Sequence, residues 1–178
     1  SSEPDTLDTY AASPRGYDGQ MSSTTGDSRL RVLVVVGTRP EAIKMAPVVQ
    51  ALRARNDCFE VRVCATAQHR EMLDQVLDLF RIVPDVDLDL MRADQSLSGL
   101  GARVLEGVDT VLTAERPDWV LVQGDTTTVA MAAIGAQHRQ VKVGHVEAGL
   151  RTGDRSNPFP EEMNRVIADH ISDLCFAP

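Results

Sequence analysis

From Leu30 onward, short apolar runs alternate with stretches of helical period, and this alternation limits the fold more than any other feature of the chain. LRVLVVV (30–36), FEVRVCAT (59–66), PDWVLVQ (117–123), VKVGHV (141–146) and DLCFA (173–177) read as strands. The segments 39–55, 70–80, 96–115, 126–139 and 161–172 read as helices, with Ile43, Ala46, Pro47, Val49 and Leu52 expected on the core side of the first. Strands that are apolar on both faces and separated by helices need crossover connections, hence a parallel sheet covered on both sides. The expected fold is α/β, a Rossmann-like doubly wound parallel sheet over residues 30–178.

Residues 1–29 differ in kind. More than half are Ser, Thr, Gly or Pro, and five acids face two arginines. Such a segment buries too little apolar surface to offset its ordering entropy, so a disordered tail is expected. At the other end the sequence stops at CFAP, directly after its last strand, which reads as a cut.

Charge narrows the function. A formal net charge of −8 and 4% aromatic residues argue against a nucleic-acid partner, which needs a basic footprint or a stacking platform. No apolar run is long enough for a membrane helix and no signal-peptide pattern stands at the start. Cys58, Cys64 and Cys175 are odd in number and lack CxxC spacing, as expected of reduced thiols in a cytoplasmic protein. No histidine spacing suits a metal. GLGARV (99–104) lacks the third glycine of a dinucleotide fingerprint and follows no strand, so no cofactor is expected.

In a parallel sheet, ligands sit beyond the carboxyl ends of the strands. After 30–36 comes GTRPE. Thr38 and Glu41 have capping-box spacing, Pro40 suits a first helical turn and Gly37 a tight turn. Arg39 is left over. A cation at a helix N-terminus opposes the macrodipole unless an anion is held there, jointly by helix amides and guanidinium. Lys44, on a long stem, is a second candidate for the same ligand. After 117–123 comes GDTTT, where Asp125 either caps the next helix or faces a cleft. After 141–146, Glu147 stands between Gly144 and Gly149, either as a satisfied structural group or, preferably, as a site acid, while His145, two residues earlier, is expected in the core or behind the site. Glu161 and Glu162 open the helix after NPFP, favourably for its dipole. Asp125, Glu147 and Glu161 can meet Arg39 on one edge, a layout for proton transfer beside a phosphate.

Five motifs in order, GTRPEAIKMAP, TAQHREMLDQVLDLF, GDTTT, GHVEAGLRTGD and PFPEEMNR, make residues 30–178 similar to the bacterial non-hydrolysing UDP-N-acetylglucosamine 2-epimerases. The resemblance implies the N-terminal half of a GT-B-type two-domain architecture, the C-terminal domain being absent from this chain. It implies C2 epimerisation of UDP-N-acetylglucosamine to UDP-N-acetylmannosamine by elimination and re-addition of UDP, without a cofactor, in service of cell-surface polysaccharide biosynthesis. Arg39 and Lys44 would bind substrate, with Asp125 and Glu147 beside them, and Asp125, Glu147 and Glu161 would be the catalytic acids and bases. Gln68, Arg70 and Glu71 would form a regulatory substrate site, and the full-length protein would be a homodimer. Since the family's catalytic histidine and most uridine contacts lie in the second domain, the isolated chain is expected to be inactive or nearly so. The alternatives are a hydrolysing epimerase, a GT-B glycosyltransferase, and a non-catalytic nucleotide-sugar-binding or structural module.

Overall fold

The computed structural model describes residues 29–66, 70–90, 92 and 94–178. The tail expected at 1–29 therefore lies outside the described residues apart from Arg29, as does Gln68; for Arg70 and Glu71 the helical backbone alone is described. Eleven elements follow in order among the described residues: β1 (Leu30–Val36), α1 (Arg39–Ala54), β2 (Phe59–Ala65), α2 (Arg70–Leu79), β3 (Val86–Asp87), α3 (Leu97–Glu115), β4 (Trp119–Gln123), α4 (Thr127–His138), β5 (Lys142–Val146), α5 (Glu161–Ile171) and β6 (Leu174–Phe176). The strands form one sheet in the order β3-β2-β1-β4-β5-β6, and every pairing is parallel. This is the doubly wound order, with its reversal between β1 and β4.

The alternation of side chains along β1 explains both layers. Val32, Val34 and Val36 pack on one face with Ala42, Met45, Ala46 and Val49 of α1 and Leu73, Val76 and Leu77 of α2. Leu33 and Val35 pack on the other with Val104, Val108 and Val111 of α3 and Val129, Ala132, Ala133 and Ala136 of α4. Small residues on α4 let it lie close to the sheet, and Ala168 brings α5 into the same layer.

Two expectations need correction. Ile43 and Pro47 point outward, Ile43 with 44% of its surface exposed. The core face of α1 is instead Glu41, Ala42, Met45, Ala46 and Val49, spaced at three to four residues. A buried glutamate had taken a position that an apolar reading assigned to neighbours. The strand β3 was also not expected. It is two residues long, and its pairing of Cys64 with Val86 and Ala65 with Asp87 leaves no apolar run to find. None of the described helices is long and apolar enough to cross a membrane.

Candidate functional site

The carboxyl ends of β1, β4 and β5 meet at the reversal of strand order. There they surround a cleft of about 380 Å³ lined by Thr38, Lys44, Gln123, Asp125, Glu147 and Arg165 among others. Gly37 allows the first turn to pass closely: a Cβ there would lie 2.6 Å from Thr66 Oγ1 and 2.9 Å from Thr128 Oγ1. Thr38 is the N-cap of α1 and Glu41 completes the capping box. Glu41 does more than close the box. Its carboxylate accepts from the Gly37 amide (2.5 Å), the Thr38 amide (3.2 Å) and the Thr126 hydroxyl (2.8 Å), joining the turn after β1 to the turn after β4. Burial pushes its pKa up, against the opposing pull of those hydrogen bonds.

This capping changes the expected mode of anion binding. The Gly37 and Thr38 amides are committed to Glu41, the Glu41 amide donates to Thr38 Oγ1, and Pro40 has no N–H. In this turn only the Arg39 amide is uncommitted among the described residues. An anion at this corner would therefore be held by side chains, chiefly a guanidinium or an ammonium, and little by the helix end. Arg39 itself is exposed on the rim, outside the cleft lining and without a partner among the described residues.

Lys44 lies in the cleft and donates to Glu147 Oε2, which also accepts from the Gln123 amide. Glu147 has φ +65, a left-handed conformation that a non-glycine residue adopts at an energetic cost. The tight turn that it opens aims its carboxylate across β4 towards α1. In the turn after β4, Thr126 is the N-cap of α4, which frees Asp125 from capping. Gly124, at φ +83, turns the chain so that Asp125 faces the cleft. There Asp125 Oδ2 accepts from Arg165 Nε (2.9 Å) and Nη2 (2.6 Å), and its carbonyl accepts from the Asn164 amide (2.9 Å).

Lys44, Asp125 and Glu147 are thus brought together, and Arg39 stands at their rim. Glu161, the first residue of α5, is half-buried and does not line the cleft. Its neighbour Glu162 is buried and accepts from the Thr152 and Gly153 amides and from Arg165, bonds that hold it below the ordinary carboxyl range, the Thr152 amide foremost. Sequence reasoning did not single out Arg165, Gln123 or the structural reach of Glu41. A signal for Arg165 existed, since it lies four residues after Glu161 and so on the same helix face. His145 is fully buried behind the site, as expected. It is parted from Glu147 because the latter lies past the end of β5 in a left-handed turn, since residues two apart within a strand would share a face.

With this geometry in place, comparison with known proteins is informative. The family model for UDP-N-acetylglucosamine 2-epimerase matches residues 50–178. A UDP-N-acetylglucosamine 2-epimerase of Yersinia pestis is 58% identical over 149 residues, covering 84% of this chain and 39% of the relative. The Escherichia coli K12 enzyme of that name is 55% identical over the same shares. Among solved structures, the UDP-GlcNAc 2-epimerase from Neisseria meningitidis bound to UDP-GlcNAc has a TM-score of 0.81 at 50% identity, over 84% of this chain and 40% of that one. The enzyme of Methanocaldococcus jannaschii, in complex with UDP-GlcNAc and UDP, has a TM-score of 0.78 at 36% identity over the same shares. The chain therefore spans about two fifths of the length of these relatives. Family model, sequence relatives and fold agree: the chain belongs to the UDP-N-acetylglucosamine 2-epimerase family.

Proposed function

We propose that the full-length protein interconverts UDP-N-acetylglucosamine and UDP-N-acetylmannosamine, and that this chain supplies one wall of the active site, the N-terminal half of a GT-B-type pair. The observation that carries this reading is the meeting of Asp125 and Glu147 with Lys44 and Arg165 in one cleft at the reversal of strand order. The reaction requires removal of the C2 proton and cleavage of the C1–oxygen bond to UDP, giving a 2-acetamidoglucal. UDP then returns to C1 while a proton is delivered to the opposite face of C2. Asp125 and Glu147 are the acid and base of this exchange, and Glu161 is a third candidate on the family pattern. Lys44 and Arg39 steady the diphosphate, whose charge grows as the C1–oxygen bond breaks, so their contribution is greater in the transition state than in the ground state.

A complete site needs a second wall facing this cleft, so the isolated chain binds UDP-sugar weakly and does not turn it over. The setting is the cytoplasm, the product serves cell-surface polysaccharide synthesis, and the full-length protein is a homodimer that binds no nucleic acid. The test is proton NMR of UDP-N-acetylglucosamine in D2O. The full-length protein should exchange the C2 proton and generate the manno epimer, and Glu147→Gln or Asp125→Asn should slow exchange at least about 100-fold. Unchanged exchange in both variants would refute the assignment. Free N-acetylmannosamine as product would place the protein with the hydrolysing enzymes.

A further inference from the structure

His145 on β5 has none of its surface exposed and sits between Val122 of β4 and Cys175 of β6 in the sheet. Both ring nitrogens have partners. Nε2 lies 2.6 Å from the Gly124 carbonyl oxygen, and Nδ1 lies 2.5 Å from Asp169 Oδ1 on α5. The other oxygen of Asp169 accepts from Arg151 Nη2 at 2.6 Å and from the Gly149 amide at 2.9 Å. Burial alone would raise the Asp169 pKa, but the bonds from Arg151, Gly149 and His145 prevail and hold it below the ordinary range. The carbonyl and the ionised carboxylate both lack a proton to give, so both ring nitrogens must donate, and only the imidazolium has two N–H groups. The charged or titratable groups packed around the ring are Asp169 from α5, Arg151 from the segment after β5, and Cys175 from β6, whose Sγ lies 3.9 Å from the Asp169 carbonyl. Cation, anion and cation therefore alternate from the ring outward.

The backbone atoms held by this chain of charges are those beside the site acids. Gly124 directly precedes Asp125 and leaves β4 with φ +83. Gly149, φ +88, closes the turn that Glu147 opens with φ +65. Glycine takes such angles freely but many others as well, so the two glycines are fixed here by what their backbone atoms bond. The left-handed Glu147 between them is costly and persists only because its surroundings impose it. We infer that His145, as an imidazolium, is a positioning residue: through the Gly124 carbonyl and, by way of Asp169, the Gly149 amide, it sets the two turns that bring Asp125 and Glu147 into one cleft. The inference rests on the reading of Asp125 and Glu147 as the reacting acids.

The ring state needs no variant. Nitrogen-15 NMR of the chain with labelled histidine should show one histidine with both ring nitrogens protonated at pH 7, lost in His145→Gln; a neutral ring at this position overturns the inference. In the full-length protein, His145→Gln, His145→Asn and Asp169→Asn should each lower kcat about 100-fold, the effect of misplacing reacting groups by roughly an ångström, while KM stays within about threefold. Asp169→Asn should also turn the ring signal neutral while circular dichroism shows the chain still folded, which separates this change from simple loss of stability. Wild-type kcat in all three variants, together with collapse in Asp125→Asn, would overturn the positioning role and leave the proposed function standing. Wild-type exchange in Asp125→Asn and Glu147→Gln would instead remove the functional reading itself.

Discussion

Glu41 offers the sharpest test of how the site is built, since among the described residues its carboxylate is the one acceptor for three donors from two turns. Replacing it with alanine strands the Gly37 amide, which is buried, and the Thr38 amide, which is half-buried, while the Thr126 hydroxyl can turn elsewhere. A buried unsatisfied donor costs about 1–3 kcal/mol, and the half-buried one less because water reaches it. Glu41→Ala should therefore lower stability by about 2–4 kcal/mol, or roughly 4–16 °C in Tm for a domain of this size. Glu41→Gln is the control. Its amide oxygen can serve the two backbone donors while its NH2 faces a Thr126 hydroxyl turned to accept, so a loss of at most about 1 kcal/mol is expected. Urea unfolding followed by circular dichroism measures both. The pH dependence supplies a second check with a definite sign. Because burial raises the Glu41 pKa above its ordinary 4.5, the folded state holds more protons than the unfolded state above that pH. The stability that Glu41 contributes is complete below pH 4.5 and is lost as pH rises through the higher folded value. Stability of Glu41→Gln relative to wild type should then improve across that window. An alanine variant within about 0.5 kcal/mol of wild type, or a Gln difference flat with pH, would refute the reasoning.

Further outcomes follow from packing and from thiol chemistry. Met45 is fully buried against β1 whereas Ile43 is 44% exposed, so Met45→Ala should cost about 2–5 kcal/mol and Ile43→Ala under about 1 kcal/mol in the same urea assay; the reverse order would restore the face read from sequence. Burial pushes the Cys64 thiol up to about 12, leaving roughly one thiolate in ten thousand at pH 8. Mass spectrometry after iodoacetamide treatment should find Cys64 unmodified in the native chain and modified in urea, and native alkylation there would refute its placement.

The parallel sheet was legible because each long strand is a dense apolar run and each crossover carries a helical period. What escaped had no such signal. The pairing of β3 spans two residues, Val86 and Asp87, fewer than any period can reveal. On α1 the misreading came from Glu41: a charged residue at a core position shifted the apparent apolar face to Ile43 and Pro47. The capping box could be read from Thr38 and Glu41, but its extension to Thr126 depends on β1 and β4 being neighbours, a relation between residues 85 apart. At the start of α5, Glu161 and Glu162 differ by about 100° around the helix, and only packing decides which faces inward. It is Glu162. Asp125 and Glu147 were legible because both lie within two residues of a strand end where the chain must turn, at Gly124 in one case and in the Glu147–Gly149 turn in the other.

The pairing of Lys44 with Glu147 and of Arg165 with Asp125 also bears on how fast a charged ligand could arrive. Each of these cations brings its own counter-charge, so their fields largely cancel a few ångströms away, while the chain as a whole carries a net charge of −8. Long-range attraction of an anion is therefore weak and the net negative charge opposes it, so added salt should speed the encounter and not slow it. On the proposed function, recognition begins at contact, when the diphosphate of the nucleotide sugar and the resident carboxylates compete for the same ammonium and guanidinium groups. A site arranged in this way selects by exchange of partners at close range and gives diffusing polyanions little reason to accumulate at its mouth.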